Sequence, residues 1–75
     1  MGLRQILAGN LRRRRRALGM SQEELAHRAE IDRTYVSAIE RSVHAASVDV
    51  IEKIAEALAV DAPDLLRNTG GRAPR

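Results

Sequence analysis

The residues with the clearest recognition chemistry lie between positions 32 and 41, where two arginines flank small side chains at helical spacing. Val36 and Ile39 repeat three residues apart, which predicts the buried face of a short helix. The opposite face of that helix carries the candidate base-contacting residues Arg33, Thr34, Ser37 and Ala38, with Arg41 at its end. Arginine can donate two hydrogen bonds to guanine, and small side chains permit close approach to base edges. The pattern therefore predicts a helix that enters the major groove of DNA.

A second short helix is predicted immediately before this one, over residues 21–29. Ser21 and Glu24 have the spacing of a capping box, in which the hydroxyl accepts from the N3 amide and the carboxylate reaches back to the cap amide. Gln22 follows at the start of the helix, where backbone amides favour a phosphate. Ser21 and Gln22 are therefore candidate contacts to the DNA backbone. The alternative for Gln22 is an ordinary polar residue in a first turn.

The two predicted helices resemble the Cro/cI-type (XRE-family) helix-turn-helix, through SQEELA at 21–26, YVS at 35–37 and IER at 39–41. More narrowly, DRTYVS at 32–37 resembles the controller proteins of restriction–modification systems. The resemblance covers residues 9–66 and implies an all-α fold, a compact five-helix bundle of the lambda-repressor-like DNA-binding type. It also implies a homodimeric, sequence-specific transcription regulator on a pseudo-palindromic operator, which times the expression of a restriction endonuclease.

The same resemblance implies roles for further residues. Arg15 is expected to form a structural ion pair with Glu40 at the end of the second helix of the motif. Tyr35 is expected against the DNA backbone, with packing in the core as the alternative. His44 stands where many relatives have a basic residue that reaches DNA, and its alternative is an exposed loop residue. Arg41 is a further candidate contact to the DNA backbone.

Apolar periodicity predicts the remaining helices. A first helix over residues 3–18 has its stripe at Leu3, Leu7, Leu11 and Leu18, with a left-handed cap at Gly19. A fourth helix follows the cap Ser47, and its inward stripe is Val48, Ile51, Ile54, Ala55 and Leu58. The segment 61–66 predicts a short fifth helix with proline in its first turn. If the backbone is left-handed near Ser42, where the family commonly has glycine, that residue is slightly strained.

Charge is unevenly distributed, although the formal net charge is only +3. The first 16 residues contain six arginines and no acid, which predicts a basic pole suited to a polyanion. Five consecutive arginines point all round a helix axis, so they cannot all face DNA. Arg12, Arg13 and Arg16 are expected to be solvated. Arg14 stands where the family usually has an apolar residue, and its stem can cover core surface.

Length and composition limit the other classes of function. The 75 residues predict a single domain over 1–67 with a flexible tail over 68–75. The chain has no cysteine, and its two histidines lie far apart, so neither a metal nor another cofactor is expected. No catalytic constellation is present, which predicts a non-enzyme. No apolar run approaches a membrane span and no signal peptide is convincing, so a cytoplasmic protein without a membrane partner is expected.

A homodimer requires a self-complementary patch away from the basic pole. The apolar residues that remain after the predicted core is filled are Val50, Val60, Leu65 and Leu66, and they are the candidate dimer interface. The alternative is that both leucines seal the base of the monomer core.

Double-stranded DNA and a second copy of the chain are therefore the expected partners, and RNA polymerase is a further candidate. One alternative function is an antitoxin that binds DNA and grips a toxin through its acidic half. The other is an RNA or membrane-surface binder that uses its arginines without sequence preference.

Overall fold

The computed structural model describes residues 2–68, which form five α-helices. The helices are α1 (Leu3–Ala17), α2 (Gln22–Ala29), α3 (Arg33–Glu40), α4 (Val48–Ala57) and α5 (Ala62–Leu65). Within these residues no strand occurs, so the predicted all-α class and five-helix architecture are confirmed. The predicted tail over 68–75 lies outside the described residues except for Asn68.

Short polar side chains begin three of the helices. The Ser21 hydroxyl accepts from the amide of Glu24 at 3.0 Å, and Asp32 and Ser47 cap α3 and α4 in the same way. These bonds satisfy amides that have no partner within their own helix. The reciprocal half of the predicted capping box is not formed, because the Glu24 carboxylate instead accepts from Arg28, one turn later, at 2.7 Å.

Left-handed residues end the first four helices. Gly19 follows α1 at φ 70°, as predicted, and it adopts this conformation without steric cost because it has no Cβ. Glu30, Ser42 and Ala59 adopt φ values of 59°, 62° and 60° after α2, α3 and α4. The backbone at Ser42 is therefore left-handed, and this residue carries the small conformational cost that was expected in that case.

The core is built from aliphatic side chains of all five helices. Its fully buried members are Leu11, Leu25, Val36, Ile39, Ile54 and Leu58. Three residues predicted on inward stripes are instead exposed: Leu3 by 62%, Leu18 by 41% and Val48 by 72%. Leu3 and Val48 are the first residues of their helices, and Leu18 is the C-cap of α1. At these helix ends the apolar stripe extends beyond the part of the helix that other helices cover.

Polar side chains of α1 hold the C-terminal ends of three other helices. Asn10, which is buried, donates to the carbonyls of Leu65 and Arg67 at 2.8 Å each, at the end of α5. Arg14 donates through Nε to the carbonyl of Leu58 at 3.0 Å, at the end of α4. Arg12 donates to the carbonyl of Glu40 at 3.2 Å, at the end of α3. Such carbonyls lack partners inside their own helices, and cationic donors also suit the negative end of the dipole.

These contacts change part of the prediction for the arginine run. Arg12 was expected to be solvated but is half-buried against α3. Arg13 is exposed, yet it donates to the side-chain oxygen of Asn10. Arg16 is exposed, as expected. Because successive residues of a helix are rotated by about 100°, the guanidinium groups point in different directions around α1, and neighbouring arginines contact different partners.

Candidate nucleic-acid interface

Helix α3 has a buried face and an open face. Val36 and Ile39 are 0% and 1% exposed and fix its inward side. The four candidate base contacts differ in exposure: Arg33 and Thr34 are exposed, and Ser37 and Ala38 are half-buried. The first two residues of α3 thus project from the N-terminal end of the helix, and the small residues continue that surface for one further turn.

The start of α3 is organised by Asp32. Its carboxylate accepts from the amide of Thr34 at 2.8 Å and from the Thr34 hydroxyl at 2.6 Å. The hydrogen bond from the Thr34 hydroxyl and then that from the Thr34 amide lower the pKa of Asp32 and outweigh the opposing effect of burial; the charge of Arg33 adds a smaller lowering. The Thr34 hydroxyl proton is therefore held by Asp32, and the hydroxyl oxygen stays available as an acceptor.

Tyr35 and His44 lie together beside this surface. Their ring centroids are 4.8 Å apart with an interplanar angle of 85°, an edge-to-face arrangement. With Asp32, Thr34 and Ala38 they line an open cavity of about 370 Å³. Tyr35 is half-buried against the core and also faces this cavity, so packing and a surface contact are compatible at this residue. The structure thus brings both side chains next to two of the candidate base contacts.

Behind α3, Arg15 and Glu40 form a buried ion pair. The Arg15 Nε lies 2.6 Å from Glu40 Oε2, a terminal nitrogen of Arg15 donates to Oε1 at 3.0 Å, and the other terminal nitrogen donates to the carbonyl of Met20 at 2.8 Å. The side chains are only 10% and 5% exposed. The structure thus pairs the two residues that the resemblance linked, and the bidentate geometry connects α1 to the end of α3.

Gln22 is the third member of this cluster. Its side-chain nitrogen donates to Glu40 Oε1 at 3.0 Å, a contact that the sequence did not predict because the two residues are 18 positions apart. Burial by itself would raise the pKa of Glu40, but hydrogen bonds from Arg15 and Gln22 and the charges of Arg15 and Arg12 outweigh it, so the pKa is lowered. Glu40 is therefore a carboxylate at neutral pH and joins α1, α2 and α3.

The other predicted backbone contacts are more dispersed. Ser21 is exposed, but its hydroxyl caps α2, and His44 is an exposed loop residue. Arg41 is exposed just after α3, whose eight residues separate it by roughly 12 Å from Arg33 at the other end. The structure therefore does not bring Arg41 together with the residues that open α3.

One further contact on this surface has no signal in the sequence. Glu23, in the first turn of α2, has a carboxylate oxygen 4.0 Å from Nε of Arg33. The two residues are ten positions apart on different helices, so no local spacing rule indicates the contact.

The predicted dimer residues do not all lie on the surface. Leu65 is 2% exposed and belongs to the monomer core, so its assignment to a surface patch is wrong. Only one of two adjacent residues on so short a helix can point fully inward. Val50, Val60 and Leu66 are half-buried and packed against the core. Leu66 also lines an open apolar cavity of about 360 Å³, together with Val48, Ile51, Glu52, Ala62 and Pro63.

Residues 2–68 contain neither a metal-binding cluster nor a membrane-spanning helix. No three His, Cys, Asp or Glu side chains lie close enough to hold a metal ion. In this part of the chain, no helix has both the length and the apolar character needed to cross a bilayer.

Two short helices joined by a turn, with the second presenting exposed and small residues at its N-terminal end, define a helix-turn-helix domain. The family model for this domain, described as helix-turn-helix (HTH_3), matches residues 11–65, and the chain belongs to that family. The matched domain is of the XRE type, so the resemblance to the Cro/cI-type helix-turn-helix is confirmed.

Two related proteins share about half of their aligned residues with this chain. The chain is 52% identical over 64 residues to the Neisseria hypothetical transcription factor of Neisseria meningitidis serogroup B, covering 85% of this chain and 60% of the relative. It is 53% identical over 47 residues to control protein C.BamHI of Bacillus amyloliquefaciens, covering 63% of this chain and 58% of the relative. The chain therefore spans about three-fifths of the length of these two relatives.

The crystal structure of the restriction-modification controller protein C.AhdI from Aeromonas hydrophila has the same fold. It superposes with a TM-score of 0.80 at 37% identity, covering 83% of this chain and 94% of that chain. The names of all three relatives describe regulators rather than enzymes.

Proposed function

We propose that this protein is a controller of a restriction–modification system that binds a pseudo-palindromic operator as a homodimer. The similarity to C.AhdI carries this proposal, because the chain matches nearly the whole of that controller protein in structure and at substantial identity. The relationship to C.BamHI supports the same assignment. The concentration of the regulator itself is then the natural signal for when the restriction genes are expressed.

In this proposal, α3 reads bases. Arg33 donates to O6 and N7 of guanine, while Thr34, Ser37 and Ala38 approach neighbouring base edges. The exposure of Arg33 and Thr34 and the partial exposure of Ser37 and Ala38 support this role.

The flanking polar residues position the domain on the DNA backbone. The amide-rich start of α2, beside Ser21 and Gln22, meets one phosphate. Tyr35 and His44 approach the backbone beside the start of α3, and Arg41 approaches it at the other end of the helix. The edge-to-face packing of the two rings supports their acting as one surface.

A second copy of the chain supplies the second recognition helix. One α3 reads only a few base pairs, whereas two copies about 34 Å apart can read successive major grooves on one DNA face. The proposed dimer face comprises the half-buried Val50, Val60 and Leu66. The exposed Val48 and the cavity beside Leu66 support its extension along the start of α4.

The test uses the purified chain and a DNA fragment from immediately upstream of its own coding sequence. We expect footprinting to show two protected half-sites whose centres are one helical turn apart, and a scrambled duplex to bind far more weakly at the same salt concentration. Equal affinity for both duplexes would refute sequence-specific regulation. A toxin gene adjacent to the coding sequence, in place of restriction and modification genes, would favour the antitoxin alternative.

A further inference from the structure

An acidic residue lies next to the proposed guanine-reading arginine. Glu23 is on the first turn of α2, and its carboxylate oxygen is 4.0 Å from Nε of Arg33 on α3. The side chains are 81% and 52% exposed, so both remain accessible to a bound duplex. The pair spans the two helices of the DNA-binding motif.

The neighbouring acids have local roles that Glu23 lacks. Glu24 is paired with Arg28 at 2.7 Å, Asp32 caps α3, and Glu40 is buried in its cluster with Arg15. Each of these three carboxylates thus stabilises a helix, the start of a helix or the packing between helices. Glu23 forms no cap and no pair within α2; its first-turn charge favours the helix dipole, and its side-chain contact is the long one to Arg33.

A carboxylate at this place opposes binding to DNA in general. Phosphates supply most of the sequence-independent attraction between proteins and DNA, and a fixed negative charge near them weakens it. The charge of Glu23 should therefore reduce affinity for any duplex, unless a favourable interaction in the cognate complex compensates for it.

The position of Glu23 relative to the guanidinium of Arg33 indicates how the cognate complex compensates for this charge. Nε is the nitrogen of Arg33 nearest the Glu23 carboxylate, at 4.0 Å, so neither terminal amino group is held by a closer contact to Glu23. Two donors from one guanidinium are what a bidentate contact to O6 and N7 of guanine uses. A carboxylate behind Nε can therefore orient the group while its terminal donors meet the base.

We propose that Glu23 is a specificity-determining residue that orients Arg33 toward guanine and disfavours duplexes without guanine at that position. On cognate DNA, the oriented guanidinium compensates for the negative charge. On other DNA, the charge remains as a repulsion. This inference rests on the proposed function, since it requires Arg33 to read a base.

The experiment compares Glu23→Gln with the matched control Glu24→Gln, which removes the same charge from the same turn of α2. Fluorescence anisotropy would measure the affinity of each variant for a duplex selected from a random library by the wild-type protein, and for a scrambled duplex. We expect Glu23→Gln to bind scrambled DNA more tightly and to lower the cognate-to-scrambled ratio about two- to fivefold, the effect of an exposed pair. Glu24→Gln should change both affinities together and leave the ratio unchanged.

Arg33→Ala separates this inference from the proposed function. If Arg33→Ala lowers the ratio and Glu23→Gln does not, the role of Glu23 is wrong and base reading by Arg33 stands. If Arg33→Ala weakens both duplexes equally, base reading by Arg33 fails and the inference fails with it. In the Arg33→Ala background, Glu23→Gln should no longer alter the ratio, and an unchanged effect there would show that Glu23 does not act through Arg33.

Discussion

The Arg15–Glu40 pair gives the sharpest prediction about stability. Replacing Glu40 by alanine leaves the guanidinium of Arg15, whose side chain is 10% exposed, without its counter-charge. Breaking a buried pair by removing one partner typically lowers the free energy of unfolding by about 3–5 kcal/mol. A 75-residue domain has roughly 4–11 kcal/mol of total stability, so the variant should lose a large fraction of it.

Thermal unfolding followed by circular dichroism measures this loss. For a domain of this size, each kcal/mol shifts Tm by about 4–8 °C, so Glu40→Ala should lower Tm by more than about 10 °C. The matched control is Glu24→Gln, which breaks an exposed pair with Arg28 and should change stability by about 0–1 kcal/mol. If Glu40→Ala melted within a few degrees of the wild-type protein, the pair would not act as a buried one.

A double variant tests the physical reason. Arg15→Met combined with Glu40→Leu removes both charges and retains apolar volume between α1 and α3. If an uncompensated charge causes most of the loss in Glu40→Ala, the double variant should recover most of the stability, because apolar replacements of buried pairs are often neutral. A double variant as unstable as Glu40→Ala would instead show that the hydrogen bonds to Met20 and Gln22 matter more than the charge.

Four further predictions concern acid stability, DNA binding and assembly. The lowered pKa of Glu40 contributes stability above the ordinary value of 4.5, so the free energy of unfolding should fall as pH drops through the folded-state pKa, and Glu40→Gln should flatten that fall in denaturant titrations. Arg33→Ala should weaken cognate binding by about 1–3 kcal/mol and relax base preference at one position per half-site. Gln22→Ala should weaken all duplexes similarly in anisotropy titrations, and a selective loss would contradict phosphate contact. Val50→Asp and Leu66→Asp should sediment as folded monomers, and two folded dimers would place the interface elsewhere.

The sequence by itself determined where three of the helices begin and which face of α3 is buried. Ser21, Asp32 and Ser47 cap helices by bonding amides two or three residues away, so their positions in the chain suffice to reveal them. The spacing of Val36 and Ile39 likewise fixed the buried face of α3, because helical periodicity depends only on separation along the chain.

Only the tertiary structure decided which distant side chains meet. Asn10 bonds carbonyls more than 50 residues away, and the Glu23–Arg33 contact joins different helices, so no local spacing encodes either. Tertiary packing also sent Leu65 into the core and left its neighbour Leu66 half-buried. Periodicity gives the direction in which a side chain leaves its helix, but the position of the facing helices determines whether that direction leads to core, partner or water.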